Sequence, residues 1–394
     1  MQDGAGRALN IFKVNDTDQG VQGFRQIHML MVFAEGTDVM RLHVLHRLSK
    51  VIIFGGSMKT ADIILQRLHT QQLATPTYKE AGEVVSWLIA MQAQEYAHAK
   101  WAIHLRSNAL TEKAIEQSFN EGIYLRTHLM RPTWHFVHQQ DIRWLLQLTA
   151  PRVHAANAYY YKQLELNTKL FARSNKVLEK ALQGGKHLQR PALAKALKDA
   201  KIIASGPRLG YIMMFAELEG LICSGPREGK QFTYALLEER VPPVKALSRE
   251  EALAQFVQRY FTTRGPATLQ DFTYWSGLTM KDAKEGAAAL PSSFLKEGEL
   301  IYQPAVFDKK KKIQHTFIMP DYDEYGMSYK DRHDIFNEGA RTFYSHMIIV
   351  DGKIAGTWKK KDNDGLDMDI FTSLSKTQTT ALKKAVERYL AFSG

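Results

Sequence analysis

Between residues 58 and 304 the sequence repeats one supersecondary pattern, and repetition at this spacing restricts the fold more than any single segment does. The clearest copy begins with a helix within residues 189–202 (Pro191-Ala-Leu-Ala-Lys-Ala-Leu) and a turn. A second helix over about Pro207–Gly220 places Ile212, Met213, Phe215, Ala216 and Leu221 at core spacing. The chain then runs through Leu-Ile-Cys-Ser into Gly225-Pro-Arg-Glu-Gly-Lys230 and returns through Phe232-Thr-Tyr-Ala-Leu-Leu. Helix, turn, helix and a hairpin with a polar, glycine-rich tip is the order of a winged helix. A further copy starts at Ser248, where Glu251 completes a capping box. It continues through the Arg264–Thr268 turn, a short helix over Leu269–Ser276, a last helix opened by Thr279 and Asp282, and a strand at Glu299–Gln303. An earlier copy has a helix over about 78–91, with Thr77 and Glu80 at capping-box spacing and Val84, Val85, Leu88 and Ile89 on its apolar face. A helix over Glu112–Asn120, a β-prone Thr133–Val137 and a helix from near Gln139 follow.

After residue 305 the chain becomes β-rich. Asp351-Gly352 between Met347–Val350 and Lys353–Trp358 is a two-residue hairpin signal, Lys309–Lys312 reads as an exposed loop tip, and a helix over about Thr377–Phe392 ends the chain. The expected fold class is α+β, mainly α: tandem winged-helix (helix-turn-helix) units followed by a C-terminal β-rich region. The boundaries read as 58–155, 156–245, 246–304 and 305–394. Residues 1–57 lack a sustained period and show no secretory signal. Gly55-Gly56-Ser57-Met58 is encodable by a ribosome-binding GGAGG ahead of ATG, so the segment reads either as an over-called extension before a native start at Met58 or as a disordered arm.

Charge bears on the partner. Lys and Arg exceed Asp and Glu by 52 to 41 over the 394 residues, and residues 156–245 alone hold fifteen basic against eight acidic side chains. Such a patch is either a nucleic-acid footprint or a solvated helical surface. The lone Cys223 excludes an internal disulfide, a four-thiolate zinc site and an iron–sulfur cluster. No apolar run nears the ~20 residues that span a bilayer.

Within the winged-helix reading, Arg227 and Lys230 on the wing suit phosphate contact. The preceding helix carries Glu217 and Glu219, which phosphates would repel, and the equivalent helix of the next unit mixes Lys281 and Lys284 with Asp282 and Glu285. Neither has the Arg/Asn/Gln cluster of base readout, so shape- or lesion-directed binding is favoured over operator reading. Arg126, Arg131 and His135 complete the expected DNA contacts. Trp134, Trp144 and Trp275 read as base-stacking or as core. Met91-Gln-Ala-Gln-Glu95 ends a helix; glutamines at i and i+2 diverge on a helix but share a face in extended chain, so convergence requires the backbone to leave helical geometry there. The alternative is an exposed polar helix end. His135, His138 and Asp141 have metal-like spacing but read as ordinary core or surface histidines, and no metal or cofactor is expected.

Residues 58–394 resemble the winged-helix DNA glycosylases of the AlkZ/YcaQ type. The resemblance rests on Met91-Gln-Ala-Gln94, Met130-Arg-Pro-Thr-Trp-His135, Asp141-Ile-Arg-Trp-Leu-Leu146 with Ala150-Pro-Arg, and Gly220–Lys230. Arg259–Thr268, Asp271–Leu278 and Asp323–Arg332 complete it in the same order, and Pro132 stands where the family pattern has glycine. It implies a bacterial, cytoplasmic and nucleoid-associated monomer that excises bases alkylated at guanine N7, including some interstrand crosslinks, from double-stranded DNA. The family's AlkZ-like branch carries a Gln-aliphatic-Gln signature, which Gln92 and Gln94 match as candidate catalytic residues.

The chemistry suits an amide. A cationic N7-alkylguanine departs as a neutral base while the sugar develops oxocarbenium character, so little acid assistance is needed. What remains is to position a water on the far face of the sugar, which a side-chain amide does through its acceptor and donors. On this reading Gln94 holds the water and Gln92 orients it or contacts the sugar edge. The competing readings are a non-catalytic tandem winged-helix DNA-binding protein, such as a transcriptional regulator, and a protein-interaction scaffold.

Overall fold

The computed structural model describes residues 58–305, 315–337, 346–361 and 365–394. The N-terminal segment 1–57 and the Lys309–Lys312 tip lie outside the described residues. After α1 (Thr60–Thr70), one order of elements occurs three times. The first copy is α2 (Ala81–Leu88), β1 (Ala90–Gln92), α3 (Tyr96–Leu105), α4 (Glu112–Asn120), β2 (Tyr124–Leu129) and β3 (Arg131–His138). The long α5 (Ile142–Gln163) leads into α6 (Thr168–Leu182), β4 (Leu188–Gln189), α7 (Arg190–Asp199), α8 (Gly206–Leu218), β5 (Ile222–Ser224) and β6 (Thr233–Leu236). After the short α9 (Leu237–Arg240), the third copy is α10 (Arg249–Arg264), a single bridging residue Ala267, α11 (Leu269–Ser276), α12 (Met280–Ala288), β7 (Leu295–Glu297) and β8 (Leu300–Tyr302).

In each copy the last strand is central: β1-β3-β2, β4-β6-β5, and β8 between β7 and Ala267, all antiparallel. The remaining elements are β9 (Thr316–Ile318), α13 (Glu324–Met327), β10 (Met347–Val350), β11 (Lys353–Lys360), β12 (Leu366–Ile370) and α14 (Lys376–Ser393), with sheet order β12-β11-β10-β9. The described residues form one unit, in which the first and third copies share a core.

Local chemistry explains most boundaries. Ser248 with Glu251, Thr268 with Asp271, and Thr279 with Asp282 form reciprocal capping boxes at the starts of α10, α11 and α12. Asp351 and Gly352, at φ 50° and 80°, make the two-residue turn between β10 and β11. The helix expected over 78–91 is shorter. It is capped by Glu80 with Glu83 rather than by Thr77, and it stops at Leu88 because Ile89 takes φ 68°. A β-branched residue in that region stores strain, on the order of 1–3 kcal/mol. The apolar run Val84–Met91 hid the break: Ile89 and Ala90 are buried in the main core and Met91 in the core on the opposite side of the sheet. The helix expected from near Gln139 starts at Ile142.

Packing assigns several side chains that the sequence left open. Ile64 and Leu68 of α1 join Phe317, Ile318 and Trp358 in the C-terminal core. Trp144 and Trp275 are core residues, their indole N–H groups donating to Asp141 (3.0 Å) and Glu324 (2.8 Å). Glu217, expected to face phosphates if α8 entered a groove, is buried against His128 of β2, while Glu219 accepts from His154 at 3.0 Å. The carboxylates of α8 therefore bind the neighbouring copy and α5, because α8 packs on β2. Among the described residues no helix is long and apolar enough to cross a membrane.

Candidate active site

Gln92 is the last residue of β1. Gln92 lies in register with His135 of β3, and one backbone bond extends the pairing past it, the Ala93 N–H donating to Trp134 O at 2.8 Å. The chain has thus left helical geometry at the glutamines, and α3 begins only at Tyr96. The alternative of an exposed helix end does not hold for Gln92, which is 9% exposed; Gln94 is half-buried.

The sheet lays a polar row across one face. Gln92, His135 and Thr127 are partners in register across β1, β3 and β2, so their side chains share that face. Each has a buried atom without a hydrogen-bond partner among the described residues: Gln92 Oε1, His135 Nε2 and Thr127 Oγ1. Arg131 Nη2 and Thr133 Oγ1, earlier on β3 where its register with β2 shifts, are also unpartnered. Buried polar atoms are seldom left unpaired, so three in register on one face mark a place suited to an outside hydrogen-bonding group.

His135 is neutral here. Burial first, then the Arg131 charge, pulls its pKa down to about 3. Its Nδ1 contacts Thr133 O at 3.0 Å. With the proton on Nδ1, Nε2 is an acceptor. Pro132 is exposed and lies where the β2–β3 register shifts, while the pairing of β1 with β3 begins only at His135.

Two positively charged residues fix the backbone around the glutamines. Arg264 donates to Ala90 O (3.1 Å) and to Glu324 Oε2 (2.8 Å), and Glu324 Oε1 accepts the Gln92 N–H at 3.0 Å. The buried pair thereby grips both ends of β1. Burial pushes the Glu324 carboxyl up, but Arg264 and the Gln92 N–H outweigh it and hold its pKa below the ordinary value. Arg126 donates to Ala93 O at 2.9 Å and Gln94 O at 3.3 Å, its guanidinium lying over the Trp134 and Phe232 rings at 4.2 and 4.6 Å.

The expected DNA contacts divide on this geometry. Arg126 is buried and committed to carbonyl groups, so it supports the Gln94 loop rather than a phosphate, a correction to its expected role. His135 is fully buried beneath the same site. Arg131 is half-buried, within electrostatic reach of Glu324, Tyr274 and Arg332. Arg227 is drawn inward over Tyr96 and Phe232 and lies 3.9 Å from Glu116, which leaves less of it for phosphate than expected. Lys230, Lys281 and Lys284 are exposed. His138 and Asp141 do not join His135 at one point: His135 faces the polar row, while Asp141 pairs with Arg259 at 2.7 Å. A cavity of about 650 Å³ lies beside Trp87, His138 and Arg259, away from the two glutamines.

A family model for DNA glycosylase AlkZ-like proteins matches residues 85–392. The chain belongs to the AlkZ-like DNA glycosylase family. An interstrand DNA cross-link repair glycosylase of Streptomyces sahachiroi is 20% identical over 361 residues, covering 84% of this chain and 96% of the relative. The solved Streptomyces sahachiroi DNA glycosylase AlkZ has the same fold, with a TM-score of 0.72 at 18% identity over 86% of this chain and 98% of the other.

In this AlkZ-like chain the supports for the glutamines escaped sequence reading. Arg264 and Glu324 lie within the Arg259–Thr268 and Asp323–Arg332 stretches that carry the resemblance, yet nothing in either stretch says that they meet. Tyr274 and Arg332, at the outer edge, pair at 2.9 Å, with the guanidinium 5.3 Å from the ring.

Proposed function

We propose that this member of the DNA glycosylase family hydrolyses the N-glycosidic bond of cationic alkylated bases of the N7-alkylguanine type, including interstrand crosslinks, in double-stranded DNA. The observation that carries the reading is Gln92 at the end of β1, with Gln94 two residues on, beside unpartnered buried polar atoms on β3 and β2. Gln92 Oε1 and neutral His135 Nε2 are both acceptors, the pair a water molecule's two hydrogens require. Gln94, half-buried in the bend that follows β1, holds that water towards the sugar, and Gln92 orients it. Neither amide is a strong base, which suits a leaving group that is already cationic and discriminates against neutral bases.

We read the three repeated units as winged helices, each with its last strand central, residues 58–155, 156–245 and 246–304 as the corresponding subdomains, and 305–394 as the C-terminal β-rich domain. Lys230, Lys281 and Lys284 then hold the duplex, the enzyme acts as a cytoplasmic, nucleoid-associated monomer, and no amine nucleophile is used, making it monofunctional. The test is release of free N7-methylguanine from a duplex carrying it at one position. Free base and an abasic strand are expected; binding of the duplex with no base released would favour a non-catalytic DNA-binding protein.

A further inference from the structure

We propose that His98, Asp321 and His346 form a binding site for one borderline divalent transition-metal ion, Zn²⁺ in the first instance, where α3 meets the C-terminal sheet. The three donor atoms lie within 4.8 Å of one another. Asp321 Oδ2 is 3.5 Å from His98 Nδ1, and Asp321 Oδ1 is 3.3 Å from His346 Nδ1. Ligands of a tetrahedral Zn²⁺ with bonds of about 2.0–2.1 Å stand about 3.3–3.4 Å apart, so each imidazole already stands at about that separation from one oxygen of the shared carboxylate. Two imidazoles and one carboxylate suit zinc, nickel or copper rather than magnesium or calcium, and three protein ligands leave a position open.

The scaffold is rigid. His98 is on α3, Asp321 follows β9 and His346 precedes β10; these strand ends are tied by the Met319 N–H donating to Met347 O at 2.8 Å. Both imidazoles lie against Trp358, at 5.9 and 4.9 Å between centroids, and that indole is fixed by a bond to Met319 O. The rings themselves meet nearly perpendicular at 5.1 Å. All three residues are half-buried, held in place yet open to an ion. Asp321 Oδ1 also accepts the His346 N–H at 2.8 Å, which orients the carboxylate. The Asp321 N–H reaches His98 Nδ1 at 3.2 Å, a contact the ion would replace. Glu95, directly after Gln94, is close enough to act electrostatically on His346.

The full chain, stripped with EDTA, is titrated with ZnCl₂ and with NiCl₂ by calorimetry and melted with and without each ion. One saturable equivalent and a raised melting temperature are expected. His98→Gln/His346→Gln should lose at least tenfold in affinity and the metal-dependent rise, while melting like the stripped wild type without metal. If that double variant proves unstable, Asp321→Asn serves the same comparison. Absence of saturable binding to the wild type, or binding that survives in a folded variant, would overturn the site.

Discussion

Replacing Glu324 with glutamine changes no volume but leaves one side of the group unable to accept. Glu324 Oε1 receives the Gln92 N–H, and Oε2 receives Arg264 Nη2 (2.8 Å), the Trp275 indole (2.8 Å) and Ser328 Oγ (3.1 Å). In Glu324→Gln, either the Gln92 N–H or the other three donors face an NH₂ group. The Arg264 guanidinium, fully buried, also loses its counter-charge. Removing one partner of a buried pair costs about 3–5 kcal/mol. Against a total stability of ~5–15 kcal/mol the variant stays folded but weakened, and its melting midpoint falls by about 10 °C.

The pH dependence has a definite sign. The Glu324 pKa lies below its unfolded value, so the stability it contributes is present above about pH 4.5 and is lost as pH falls through the folded pKa. The deficit of the variant therefore narrows on acidification. Because Glu324 holds the backbone of Gln92, single-turnover excision should slow by about tenfold or more per folded molecule. Asp141→Asn is the control: it breaks the pair with Arg259 without touching β1, so it should lower the midpoint and leave excision unchanged. A Glu324→Gln enzyme that melts within 2 °C of wild type and excises at full rate would refute the reasoning.

His135→Gln probes the neutral imidazole. With a folded pKa of about 3 against 6.5 unfolded, wild type should lose about 2 kcal/mol between pH 6.5 and 5, and chemical denaturation of the variant should show that loss abolished. Arg126→Lys keeps the charge but loses the fork that holds Ala93 O and Gln94 O, so kcat should fall about tenfold or more with KM little changed; a change confined to KM would assign Arg126 to DNA binding instead. Lys281→Ala and Lys284→Ala should each reduce the slope of log affinity against log salt by about 1 in a fluorescence titration with undamaged duplex, and an unchanged slope would remove α12 from the interface.

What was legible in the sequence was chemistry confined to a few adjacent residues. The Ser248 and Thr279 capping boxes, the Asp351-Gly352 turn and the hairpin after α8 all sit where their local signals placed them. β1 was not legible, because a three-residue strand behind a positive-φ isoleucine continues the apolar run of the preceding helix. Helix α3 was missed because two cores take its faces and Lys100 is buried against Glu112 and Glu116, which blurs its amphipathic pattern. The glutamine pair was visible as a motif, but its supports were not: Arg126 looked like a phosphate ligand because nothing local reveals that carbonyl groups and rings enclose it. The Arg264–Glu324 pair and the His98–Asp321–His346 cluster join residues far apart in the chain, beyond the reach of any spacing rule.

The central claim is that two uncharged side chains at the end of β1 perform the hydrolysis. Single-turnover release of N7-methylguanine from duplex DNA by wild type, Gln92→Ala and Gln94→Ala, with duplex affinity measured in parallel, tests it most directly. The account predicts affinity within about threefold of wild type for both variants and excision slowed about a hundredfold for Gln94→Ala. Full-rate excision by a folded Gln94→Ala enzyme would contradict it.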